Sequence, residues 1–211
     1  MLSWSPIRSS LLGMGCLLVS LTPARPWSIH EADAGASTTP TVVFENERVK
    51  VIRAGTGLGL SSYPAAVVVF LDNGEARWSE DLPPGVGEKR PFIIVEPKGP
   101  SGSRTSPAGP GALGPLGAPP PGFSFDPLFE NDRVRVIRGR MEANAQEGPH
   151  THASDIVLVH LSGGTIEDTA EGKTKINRWK PGDVEFEARG SSHSARNRGP
   201  AVLAVLVTLK P

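Results

Sequence analysis

A single cysteine, Cys16, is all the thiol this 211-residue chain has, and it lies in the first apolar stretch. If that stretch is a leader that is removed, the mature protein has no disulfide, no nucleophilic cysteine and no thiolate metal site. An excess of charge is missing as well. Twenty-two Lys and Arg balance twenty-two Asp and Glu, and no basic cluster interleaved with aromatics occurs, so nucleic acid is not an expected partner. The apolar stretch from Leu11 to Leu21 is too short to cross a bilayer comfortably as a helix. It follows Arg8 and runs into Thr22-Pro23-Ala24, a pattern that predicts a signal peptide over residues 1–24 with cleavage after Ala24. The expectation is a secreted or periplasmic protein with no stable membrane insertion, an uncleaved N-terminal anchor being the alternative.

Gly and Pro are plentiful, at 24 and 21 residues, which favours strands joined by turns over a helical bundle. From His30 to Pro40 the chain is small, polar and acidic without periodicity, and residues 25–40 read as a disordered tether. Residues 99–122, GPSGSRTSPAGPGALGPLGAPPPG, are too rich in Pro and Gly for a ladder and read as an extended linker. The segments on either side of that linker repeat one another. FENERVKVIR from Phe44 is answered by FENDRVRVIR from Phe129, AAVVVFLDNG from Ala65 by DIVLVHLSGG from Asp155, and Arg77-Trp78 by Arg178-Trp179. Two copies of one supersecondary unit follow from an echo of that length. Few contacts between the copies are expected across such a linker.

The second copy carries the chemistry. His150 and His152 alternate on an extended chain, so both imidazoles leave one face. His193 follows a glycine turn at Arg189-Gly190 and joins them if the intervening hairpin folds back. His160 shares their parity, deeper along the chain. TIEDTAEGKTK, from Thr165, reads as a polar hairpin with Glu171-Gly172 at its tip, and Pro181-Gly182-Asp183 as a turn. Glu185 and Glu187 alternate with Val184 and Phe186, and the simplest reading points both carboxylates to solvent.

At these residues the chain resembles the cupin superfamily. Gly182, Gly190, His193 and Asn197 fall on the family's second motif, with Ala188 in place of its proline. His150, His152 and Gly163 or Gly164 fall on the first motif. Its glutamate is missing, because Ile156 and Val157 occupy the permitted positions and Asp155 stands one residue short, and Asn144 replaces its opening glycine. The resemblance implies an all-β jelly-roll barrel (a double-stranded β-helix) over residues 123–211, with a metal at its mouth. It also implies a bicupin whose first copy, residues 41–98, is degenerate: Ser61, Ser62 and Tyr63 stand where the paired histidines belong, and the second motif is deleted.

The expected metal ligands are His150, His152 and His193, with Asp155 and His160 as additional candidates and Arg189 as a further candidate acid or base. Parity turns Asp155 away from the imidazoles unless a bulge intervenes. Such a set suits a divalent ion, Fe, Mn, Zn, Ni or Cu, and leaves positions open for water or a small-molecule substrate. It is similar to the three-histidine set of the thiol dioxygenases within the cupins. Two functions stay in view, a metal-dependent oxidoreductase or isomerase and a non-catalytic extracytoplasmic module that binds a small molecule; vestigial histidines in a structural protein are a third. Oligomeric state is open, a homodimer through an exposed strand edge being one arrangement.

Overall fold

The computed structural model describes residues 39–54, 57–86, 90–99 and 118–210; the leader, the tether up to residue 38 and linker residues 100–117 lie outside them. The first copy forms one antiparallel sheet from β1 (Thr41–Glu45), β2 (Val49–Ala54), β3 (Val67–Phe70), β4 (Ala76–Trp78) and β5 (Phe92–Pro97), in the order β1-β2-β5-β3-β4. β-Branched and aromatic runs such as VVVF and FIIV favour these strands.

The second copy contributes nine strands in two sheets. β6 (Phe123–Glu130), β7 (Val134–Met141), β9 (Ile156–His160), β12 (Val184–Glu187) and β14 (Val202–Leu209) lie in the order β12-β9-β14-β7-β6. β8 (Gln146–Thr151), β10 (Gly164–Ala170), β11 (Lys173–Trp179) and β13 (Ser192–Asn197) form the other, in the order β11-β10-β13-β8. Together they make a double-sheet jelly roll. The hairpin between β10 and β11 turns at Glu171 and Gly172, with φ of 51° and 71°, the two positive values that a tight two-residue turn needs.

The echo in sequence is an echo in register. Ile52 pairs with Ile94 as Ile137 pairs with Leu206, and both β1 and β6 carry a bulge before the phenylalanine, Phe44 or Phe129. The turns match as well: Asn46 Oδ1 accepts from the backbone N–H groups of Arg48 and Val49, and Asn131 Oδ1 from those of Arg133 and Val134. The Arg-Trp echo is different. β4 pairs with β3 and thus takes the place of β12, whereas Arg178-Trp179 ends β11 in the other sheet. The first copy has no counterpart of that second sheet among the described residues.

The expectation of few contacts between the copies does not hold. Val49, Val51, Val67, Val69, Ile93 and Val95 of the first sheet share one core with Val134, Val136, Val157, Val159, Val205 and Val207 of the second. These are corresponding faces of corresponding sheets, so the copies bury the same surface against one another. Polar contacts repeat the exchange: Arg48 Nη2 donates to the Lys210 carbonyl, and Arg133 Nη2 to the Pro97 carbonyl. The physical reason is supply of apolar surface. The strands alternate between two apolar faces, and a linker leaves the outer one to find a partner within the chain.

Each sheet then has one face left. In the first copy it is closed by Ile52, Val68, Phe70, Phe92 and Ile94, with Leu58, Leu60, Tyr63, Leu82 and Val86 packed over them. In the second it opens into a cavity of about 310 Å³ between the two sheets.

Candidate metal centre

The cavity mouth is built where β8 meets β13. His150 pairs directly with His193 across these strands, and the register then slips, so that Glu147 pairs with Ala195. That bulge, at Gly148-Pro149, places one extra residue in β8 and turns Glu147 onto the face of His150, with its Oε1 3.6 Å from His150 Nε2. His152 sits just beyond β8 and is clasped by the following turn: its N–H donates to the Ser191 carbonyl at 3.0 Å, and its carbonyl accepts from Gly190 N–H at 2.8 Å. Gly190 has φ of 82°, a conformation a side chain would strain. Gly190 and Ser191 of that turn therefore hold His152 through the backbone.

Three imidazoles converge. One ring nitrogen each from His150, His152 and His193 lie within 4.8 Å of one another. His150 Nδ1 is 3.1 Å from the Gly148 carbonyl, which can only accept, so Nδ1 carries the proton and Nε2 keeps its lone pair. His193 Nδ1 donates to Asp168 Oδ1 at 2.9 Å, which frees Nε2 in the same way. His152 Nε2 and His193 Nε2 stand 3.1 Å apart. Neighbouring nitrogens on an ion with bonds of about 2.1 Å lie about 3 Å apart, so the donor set fits a divalent first-row metal.

Asp155 is not brought to this cluster. Its carboxylate accepts from Arg48 Nε at 3.1 Å and from Arg189 N–H at 2.8 Å, so it joins the two copies and the Arg189 turn. His160 lies on β9 in the opposite sheet, 3% exposed, stacked on Trp179 with ring centroids 4.5 Å apart. Both its ring nitrogens are buried without a hydrogen-bond partner, and Glu185 Oε2 is 3.6 Å from Nε2. Asn197 is structural. Fully buried, its Nδ2 donates to the carbonyls of Met141, Glu142 and Pro200, pinning the corner between β7 and β14.

The carboxylates are the correction. Glu185 and Glu187 line the cavity and do not face solvent, because Val184 and Phe186 are taken up by the core shared with the first copy. Glu187 Oε2 is 3.5 Å from His152 Nε2 and its Oε1 3.7 Å from His193 Nε2. Burial, then the charges of Glu185, Glu147 and Asp168, pushes the Glu187 carboxyl up to about 8. Burial, then the facing His193 and His150, pulls His152 down to about 4. The short approach between them is thus a contact of uncharged groups near neutrality, and a divalent cation would favour the ionised carboxylate instead. Glu147, Asp168 and Glu187 were missed in sequence because each signal needs a partner strand: a bulge for Glu147, a hairpin face for Asp168 and a second buried face for Glu187. For Asp168, the sequence signal was an acidic residue in a strand leading to the Glu171-Gly172 tip.

No family model matches the chain, and no curated protein does. Among solved structures, it is similar to a cupin domain from Bordetella pertussis at 22% identity, covering 45% of this chain and 100% of that one with a TM-score of 0.40. It is similar to KdgF from Halomonas sp. at 22% identity, covering 43% and 82% with a TM-score of 0.37. A polyketide cyclase, RemF from Streptomyces resistomycificus, is similar at 21% identity, covering 42% and 66% with a TM-score of 0.37. The chain's own order of strands sets Gly182, Gly190, His193 and Asn197 at the corners and mouth of the barrel. Residues 123–209 are an all-β, two-sheet jelly-roll barrel with three histidines at its mouth.

Proposed function

We propose that this is an exported cupin protein that holds one divalent metal ion through His150, His152 and His193 and acts on a small molecule admitted to the cavity beneath. The observation that supports it is the convergence of three ring nitrogens at the mouth of an apolar cavity, with two rings held in the tautomer that presents Nε2. When bound, the ion would supply a Lewis-acid or redox centre with open positions for substrate. The chain supplies the rest. Phe123, Phe125, Leu158 and Leu206 enclose an apolar body and exclude water, while His160 and Glu185 offer hydrogen-bonding groups to a polar end. The His160 imidazole, buried with both ring nitrogens unpartnered, is free to hydrogen-bond a substrate, which favours a metal-dependent oxidoreductase or isomerase over a module that only binds.

In this reading the chain is a two-copy cupin and, among the described residues, the inner face of the second copy keeps a cavity where that of the first is closed. Export rests on the leader of residues 1–24, and mass spectrometry of protein recovered from its native host, expected to begin at Arg25, checks it. Metal analysis of the same material tests the centre: about one divalent ion per chain is expected. If no metal is held but a small molecule copurifies, the binding module replaces the enzyme.

A further inference from the structure

We propose that Glu187 is a fourth ligand of the metal, delivered from β12 and not from the strand that carries a carboxylate in the family motif. The inference rests on the metal reading above. Glu187 touches two of the three imidazoles, through different oxygens, at 3.5 and 3.7 Å. Its side chain is 14% exposed, and no lysine or arginine nitrogen lies within 4 Å of it among the described residues. A half-buried carboxyl that faces two imidazole nitrogens, with Glu185 beside it and no cationic side chain, can ionise there at little cost only with a cation between them.

The register shows where the carboxylate has moved. Glu187 pairs directly with Ile156 across β12 and β9, and both line the cavity. Ile156 occupies one of the positions where the cupin motif has glutamate. Directly opposed residues on one face of an antiparallel pair have Cβ atoms about 5 Å apart, a gap that a glutamate side chain crosses. The same cavity corner can therefore receive a carboxylate from either strand. Glu147 is the competing carboxylate, but it approaches only His150, and its side chain is about twice as exposed as that of Glu187, at 31% against 14%.

The full chain, stripped of metal with a chelator and titrated with Mn²⁺ and with Cu²⁺, tests the assignment. Glu187→Gln keeps the shape and removes the anionic oxygen, and should weaken Mn²⁺ binding by at least about tenfold, Cu²⁺ by less, since manganese depends more on oxygen donors. Glu187→Asp should fall between the two, and Glu147→Gln should stay within about threefold of wild type. Adding Ile156→Glu to Glu187→Gln should restore most of the Mn²⁺ affinity and the Mn²⁺ EPR spectrum of the wild type. Wild-type binding that Glu187→Gln leaves within about twofold, or a loss that falls on Glu147→Gln instead, overturns this assignment and spares the metal reading. No Mn²⁺ or Cu²⁺ binding by the wild type overturns both.

Discussion

The two copies of one unit present the same outer face and opposite inner ones. Phe70 pairs with Phe92 across β3 and β5 as His160 pairs with Ala204 across β9 and β14. In the first copy two large rings fill the space and Leu60, Tyr63 and Leu82 close over it, so nothing can enter. The second copy has an imidazole and a methyl group at those positions, and an added sheet, and a cavity is the result. Function here follows from what the inner face leaves unfilled. The outer face is constrained in both copies because each is the other's cover.

The severest way to break that comparison is to remove a cover. A chain beginning at residue 118 would expose Val134, Val136, Val157, Val159, Val205 and Val207, each 0% exposed in the intact protein. At about 1.5 kcal/mol per buried valine, the six together are worth about 9 kcal/mol, comparable to the whole stability of an ordinary domain. That fragment should aggregate on size exclusion and show no cooperative melt. A soluble, cooperatively unfolding monomer would mean that the copies stand independently.

The inner faces should respond unequally. Phe70→Ala is expected to cost about 3–5 kcal/mol in denaturant unfolding, with no effect on metal. His160→Ala, at the matching position, should cost clearly less, because the stacking on Trp179 that it loses is offset by removing two nitrogens buried without partners. Equal losses would mean that the cavity is packed as tightly as the closed face.

At the mouth, His193→Ala should lower metal affinity by at least about 100-fold, and Asp168→Ala, which frees the His193 ring without touching the ion, by about 10–100-fold. Isothermal titration of both variants orders them, and an Asp168→Ala variant indistinguishable from wild type would leave its 2.9 Å bond without a role. The smallest effect is expected where the copies meet at the surface. Arg48→Ala removes bonds to Asp155 and the Lys210 carbonyl, but the arginine side chain is 38% exposed, so about 1 kcal/mol or less is lost in thermal unfolding.

Much of this was legible in the residues. Repetition of FEN-x-RV-x-VIR gave paired strands and identical asparagine turns, and the glycines at 182 and 190 located two corners. Spacing put His150 and His152 on one face, and the glycine turn with the resemblance of the second motif added His193. What stayed hidden depends on a neighbouring strand. VEFE alternates cleanly, and alternation says that one face is covered without saying which; here both are partly covered, so Glu185 and Glu187 face inward although they are acidic. Glu147 was hidden by a register slip that only the partner β13 reveals. Arg77-Trp78 misled for the converse reason, since equal dipeptides ended up in different sheets once the intervening strands were lost.

The shared core also sets an order in time. Contacts such as Arg48 to Lys210 join positions 162 residues apart, so they form only after both copies have been made. During synthesis from the N-terminus, β2, β3 and β5 are complete while β14 is still to come, and their valine face has no cover. Non-local pairing of this kind folds slowly. The first copy, sealed on its inner side by its own loops, is the copy suited to waiting in that state, and the copy with the open cavity is made after it.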